Sequence, residues 1–140
     1  MAPMLKRPLF ALSFFAVALA GCPGSLENPE RFAEQFGTCP DVPTLLNTAC
    51  GTANCHGASN PSSGLDLASS DIAGRLAGKE ATNGGLLLDF DAPEKSVLYT
   101  KVTDLPPFGS RMPLGGTPFD DTEVSCILSW IETSAKGGSP

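Results

Sequence analysis

Two cysteines and the only histidine of the chain lie together at residues 50–56, which read Cys-Gly-Thr-Ala-Asn-Cys-His. Two close thiols followed directly by an imidazole can bind a haem covalently. The thiols form thioether bonds to the haem vinyl groups, and the histidine binds one face of the iron. The usual motif has two residues between the cysteines, whereas Cys50 and Cys55 enclose four. The sequence therefore predicts a variant haem c site formed by Cys50, Cys55 and His56.

The same three residues allow two other arrangements. Cys50 and Cys55 can instead form a local disulfide, with His56 as a surface residue and no cofactor. A zinc site is the weaker alternative, because no sensible fourth ligand is present and two of the three ligands are adjacent in sequence.

The N-terminus has the pattern of an export signal. Lys6 and Arg7 precede an apolar run over residues 8–20, which is too short to span a bilayer. The run ends in Leu-Ala-Gly-Cys, which resembles the lipobox of bacterial lipoproteins and implies acylation of Cys22. We therefore expect residues 1–21 to be a signal peptide. The mature protein would then be exported and lipid-anchored in the bacterial cell envelope, at the periplasmic or outer-membrane face.

The remainder of the chain is long enough for one small domain. Residues 22–38 are polar and contain Pro and Gly, which predicts a linker, residues 39–135 form the domain, and residues 136–140 form a flexible tail. Without the signal peptide the chain has seven basic and fifteen acidic residues, a net charge of −8. This charge argues against nucleic acid as a partner, and it favours a protein partner with a basic docking patch.

Helical patterns predominate within the domain. A helix is predicted to begin near Asp41 and to lead into Cys50, and a short one is predicted around Ile72, capped by Ser69 or Ser70. Two further helices are predicted from Pro93 or Glu94 to about Thr103 and from Asp121 to Ser134. The last has Asp120 and Glu123 as a capping box and an apolar stripe of Val124, Ile127, Leu128 and Ile131. Residues 57–68 and 104–118 form long Gly- and Pro-rich loops, a length typical of segments that surround a ligand.

The remaining cysteines can be assigned by elimination. With Cys22 bound to lipid, and Cys50 and Cys55 bound to haem or to each other, Cys39 and Cys126 are left. Two thiols in an oxidising compartment are expected to pair. A disulfide between Cys39 and Cys126 would join the first helix to the last.

Met112 is the candidate for a second iron ligand, because the chain has no second histidine and Met1 and Met4 belong to the signal peptide. Pro113 disfavours helical geometry at Met112, so the side chain is expected to project from an extended loop. The alternative is a methionine that fills the core. Neighbouring Arg111 is either a partner for a haem propionate or an exposed side chain.

Taken in order, these segments resemble class I cytochromes c, and more narrowly the small cytochrome c-like domains of exported bacterial lipoproteins. The resemblance covers residues 39–135. It rests on Leu45-Leu46, Cys50 to Gly57, Gly64-Leu65-Asp66-Leu67, Ser96-Val97-Leu98-Tyr99-Thr100-Lys101, Arg111-Met112-Pro113 and Ser129-Trp130-Ile131.

The resemblance implies a mainly α, small cytochrome c-like helical domain in which the first and last helices cross and long Gly/Pro-rich loops enclose the haem. It implies that His56 and Met112 bind the iron from opposite faces, while Trp130 packs near the helix crossing.

The expected function is single-electron transfer through covalently bound haem c between redox partner proteins. Enzymatic turnover is not expected, because His56 would bind iron and no second imidazole is available as a general base. The alternative is a haem-free, disulfide-stapled surface lipoprotein that acts as a binding or structural module.

Overall fold

The structure, a computed structural model, describes residues 38–137. This part of the chain is mainly helical, as predicted. It contains the α-helices α1 (Val42–Cys50), α2 (Ile72–Leu76), α3 (Val97–Thr100) and α4 (Asp121–Ser134), and the 3₁₀ turns Ser62–Gly64 and Pro93–Lys95. Between residues 38 and 137, β-pairing is limited to isolated bridges that join Ala77 to Leu88 and Glu80 to Leu86.

Several predictions concern residues outside the described range. These are the signal peptide at residues 1–21, the acylation of Cys22, the linker up to residue 37, and tail residues 138–140. Among the helices of residues 38–137, none is both long and apolar enough to cross a membrane.

Helices α1 and α4 begin where the sequence predicts. The Asp41 carboxylate accepts a hydrogen bond from the backbone N–H of Thr44 at 3.0 Å and caps α1. Asp120 and Glu123 form the predicted capping box of α4, each side chain accepting from the backbone N–H of the other residue. Such caps satisfy backbone donors that have no partner inside the helix.

The two middle helices differ from their predictions. The cap of α2 is Asp71, whose carboxylate accepts from the N–H of Gly74 at 3.1 Å, so the assignment to Ser69 or Ser70 was wrong. The helix predicted from residue 93 to residue 103 is divided at Ser96, whose backbone is extended with ψ of 129°. Ser96 is completely buried, and its hydroxyl accepts from the N–H of Asp89 at 2.9 Å, which holds the break in place.

The core lies between α1 and α4. Leu46 of α1 and both Ile127 and Ile131 of α4 are at most 1% exposed, and Trp130 is buried beside them. The disulfide between Cys39 and Cys126 joins the chain just before α1 to the interior of α4, as the cysteine count predicts. The first and last helices therefore form one cross-linked unit.

Candidate functional site

A cleft of about 580 Å³ brings together residues from both ends of the domain. Cys50 at the end of α1, His56 in the following loop and Met112 in the loop before α4 all line it. Its floor is apolar, with side chains that include Leu46, Leu65, Leu67, Leu76, Leu98 and Val102. A volume of this size lies within the range of roughly 300 to 1,000 Å³ that is usual for cofactor and small-molecule sites.

The four residues between the cysteines form a closed turn at the end of α1. The N–H of His56 donates to the carbonyl of Cys50 at 2.9 Å, and the N–H of Cys55 donates to the carbonyl of Thr52 at 3.0 Å. Gly57 is buried against this turn, and a Cβ atom there would lie 2.9 Å from the carbonyl oxygen of Thr52. A compact turn therefore accommodates the four residues between the cysteines. Only glycine fits at position 57, because any side chain there would clash with the turn.

The imidazole of His56 is fixed by a backbone carbonyl. Its Nδ1 lies 3.2 Å from the carbonyl oxygen of Leu65, and the carbonyl of His56 accepts from the N–H of Leu67 at 2.8 Å. Because a carbonyl oxygen can only accept, this contact places a proton on Nδ1, and in the neutral tautomer with that proton the lone pair is on Nε2. A histidine that binds a metal commonly has this arrangement, with its other ring nitrogen donating to a carbonyl or carboxylate.

Asp66 and Arg75 hold the segment that orients His56. The Asp66 carboxylate accepts from the N–H groups of Ala68 and Ser69, both at 2.9 Å, and lies 3.6 Å from the Arg75 guanidinium. Hydrogen bonding by Ser69, then by Ala68, together with the charge of Arg75, lowers the pKa of Asp66 from 3.8 to about 2. Arg75 also donates to the carbonyls of residues 66, 69 and 70.

These two roles were missed in the sequence analysis. The available signal was the Asp-Leu-Ala-Ser run, in which an aspartate precedes a small polar residue by three positions and can form an Asx turn. No local signal identifies Arg75 as its partner, because the contact depends on how α2 packs.

Met112 is half-buried, and its side chain packs against the core on the wall of the cleft. The backbone N–H of Met112 donates to the carbonyl of Lys101 at 2.8 Å, and the Lys101 ammonium donates to the carbonyl of Phe108 at 2.7 Å. Both contacts tie the loop to the end of α3. The structure thus places Met112 and His56, which are far apart in sequence, on the same cleft.

The guanidinium of Arg111 is held by contacts within the domain. Its guanidinium donates to the carbonyls of Val102 at 2.9 Å and Phe119 at 3.1 Å, and it pairs with Asp104. Arg111 therefore anchors the Met112 loop, a role that the sequence did not indicate, and its contact with a haem propionate stays a prediction.

The two cysteines of the motif have different environments. Neither Cys50 nor Cys55 is bonded to another cysteine within residues 38–137, so the local disulfide is not the arrangement of this structure. Burial, and secondarily the charge of Cys55, raises the pKa of the Cys50 thiol to about 11. Cys55 is exposed and does not line the cleft. Cys50 is thus a neutral thiol that faces the apolar floor, and Cys55 lies outside it.

Residues 38–137 contain no group of three or more His, Cys, Asp and Glu side chains arranged to hold a metal ion. A haem iron needs no such group, because the porphyrin supplies four nitrogen ligands and the protein adds only axial ones. The cleft carries one imidazole and one thioether, which are the two kinds of side chain that bind the iron in many cytochromes c.

Neither protein-family models nor curated proteins nor solved structures gave a match to this chain. The function is therefore inferred from the residues and geometry of the cleft.

Proposed function

We propose that this protein is a lipid-anchored c-type cytochrome that transfers single electrons. Cys50, which lines the cleft, and Cys55, which is exposed beside it, would attach the haem, and His56 and Met112 would bind its iron. The observation that carries the proposal is the shared cleft of Cys50, His56 and Met112, in which Nδ1 of the His56 imidazole lies 3.2 Å from the carbonyl oxygen of Leu65.

Bound haem c would supply one chemical property, the cycling of iron between Fe(III) and Fe(II). Three features of the cleft would support this redox cycling. The carbonyl of Leu65 keeps the proton on Nδ1 of His56, so that Nε2 remains a ligand. The Met112 thioether on the same cleft would favour the reduced state if it bound the iron, because a Met/His ligand pair raises the reduction potential. The apolar floor excludes water from the ligands, and burial of this kind also tunes the potential.

The cellular setting is part of the same proposal. The signal sequence and Cys22 would export the protein and anchor it to a membrane of the cell envelope. The acidic mature chain would then meet redox partners through a basic patch on their surfaces.

The test is covalent haem in the exported protein. The full chain would be expressed in a bacterial host that attaches haem c, and we expect a red product. Its pyridine-haemochrome band should remain with the denatured protein after extraction with acid acetone. His56→Ala is expected to lose the normal spectrum, whereas Asn54→Ala, in the exposed part of the same turn, should retain it.

A colourless product that is correctly exported would reject the electron carrier. It would favour the haem-free, disulfide-stapled surface lipoprotein.

A further inference from the structure

The cleft has a different charge from the rest of the domain. Residues 38–137 contain six basic and twelve acidic side chains. Three of the basic side chains line the cleft, namely Arg75, Lys79 and Lys101. Two of the acidic side chains do so, namely Asp66 and Glu80. Basic side chains therefore outnumber acidic ones around the cleft, by three to two, in a domain that is acidic as a whole.

Two of the three cations already have partners within the domain. The guanidinium of Arg75 donates to backbone carbonyls at 2.8 to 3.1 Å and pairs with Asp66, and the ammonium of Lys101 donates to Phe108. Lys79 differs from both, since its ammonium has no hydrogen-bond or ion-pair partner among residues 38–137. Its charge is therefore available to a ligand.

The cleft combines an exposed charged side chain, Lys79 at its rim, with a buried apolar floor. Lys79 is exposed, whereas floor residues Leu46, Leu76 and Leu98 are at most 5% exposed. A ligand that matches both parts of the cleft has an apolar body that packs on the floor and a carboxylate that contacts Lys79.

We propose that the cleft binds an amphipathic carboxylate and that the Lys79 ammonium contacts its carboxylate. The identity of this ligand as haem rests on the proposed function, under which the carboxylates are the haem propionates. Lys79 is then a positioning residue, which fixes the orientation of the macrocycle without touching the iron. An exposed ion pair contributes about 0.2 to 1 kcal/mol, so its loss corresponds to a factor of about 1.4 to 5 in an equilibrium constant.

The first test uses the haem-loaded full chain. The midpoint potential would be followed against pH for the wild type and for Lys79→Gln. Loss of the ammonium should raise the pKa of the propionates, because their ionised form loses a nearby positive charge. The pH at which the midpoint potential changes should therefore rise, by an amount that corresponds to a factor of about 1.4 to 5 in proton concentration. Lys95→Gln is the matched control, because Lys95 is equally exposed but lies outside the cleft.

The effect of the propionates on the potential must be distinguished from the effects of other titratable groups on the cleft wall. Asp66, Glu80, His56, Lys101 and Arg75 all line it. Glu80 is the exposed carboxyl among them, and Glu80→Gln should leave the step in place. A step that is identical in the wild type and Lys79→Gln, or that disappears in Glu80→Gln, would overturn the proposal.

The second test does not require iron. The full chain, produced in a host that does not attach haem, would be titrated with metal-free protoporphyrin IX and with its dimethyl ester. The wild type should bind the diacid more tightly than the diester. Lys79→Gln should lose about 1.4- to 5-fold in affinity for the diacid alone. Equal affinity for the two porphyrins, or no binding of either, would overturn the proposal.

The two tests separate this inference from the proposed function. A chain that never carries haem but prefers the diacid through Lys79 would reject the cytochrome and support the anion site. A chain that carries haem, but whose propionates are insensitive to Lys79→Gln, would support the cytochrome and reject the contact of Lys79 with a carboxylate.

Discussion

The Cys39–Cys126 disulfide should supply a large part of the stability of the domain. It closes a loop with a sequence separation of 87 residues, and the chain-entropy model assigns a loop of that length about 4 to 5 kcal/mol. Small domains are stable by only about 5 to 15 kcal/mol in total. The double variant Cys39→Ala/Cys126→Ala should therefore be strongly destabilised.

The assay is urea unfolding of the purified protein, followed by far-ultraviolet circular dichroism. With a slope of about 2 kcal/mol per molar urea, the expected loss lowers the midpoint by roughly 2 M. Wild-type protein measured in the presence of a phosphine reductant is the control, because it loses the cross-link but keeps both side chains. It should unfold near the midpoint of the double variant. If reduction changes the stability of the wild type by less than about 1 kcal/mol, the disulfide is not a main source of stability.

Three further predictions concern the site and its supports. Met112→Leu, which retains apolar volume, should abolish the weak long-wavelength band of methionine-ligated ferric haem and lower the midpoint potential; a parent spectrum without that band would contradict the ligand assignment. Asp66 has a pKa that folding lowers from 3.8 to about 2, so its contribution to stability is present above pH 3.8 and is lost as pH falls toward 2. Asp66→Asn should therefore flatten the acid limb of a plot of unfolding free energy against pH, and an unchanged limb would contradict this. Gly85→Ala should cost more stability in urea unfolding than Gly84→Ala, because both glycines have positive φ but only at Gly85 would a Cβ lie 2.9 Å from Val97; equal losses would contradict the packing.

The ends of the fold were predictable from sequence because their signals are local. Asp41 before a proline-containing first turn, and Asp120 three residues before Glu123, determine where α1 and α4 begin. The middle of the chain was less predictable, because tertiary contacts decide it. Ser96 divides the expected third helix through its buried bond to Asp89, a contact that no helical pattern in the sequence reveals.

The candidate site shows the same division. The motif at residues 50–56 and the single methionine after residue 4 identify His56 and Met112 as candidate ligands, and the structure places both on one cleft. The carbonyl of Leu65 that orients His56 could not be identified from the sequence, since every residue has a carbonyl and only the folded chain selects one. Similarly, the cationic rim at Lys79 depends on which charged side chains the fold brings to the cleft.

Intact-mass analysis of the purified protein, combined with peptide mapping across residues 50–56, distinguishes covalent haem from a local disulfide. We expect a polypeptide heavier by one haem, with the porphyrin retained on the peptide that contains Cys50 and Cys55. A polypeptide without that added mass, whose peptide instead contains a bond between these two sulfurs, would contradict it.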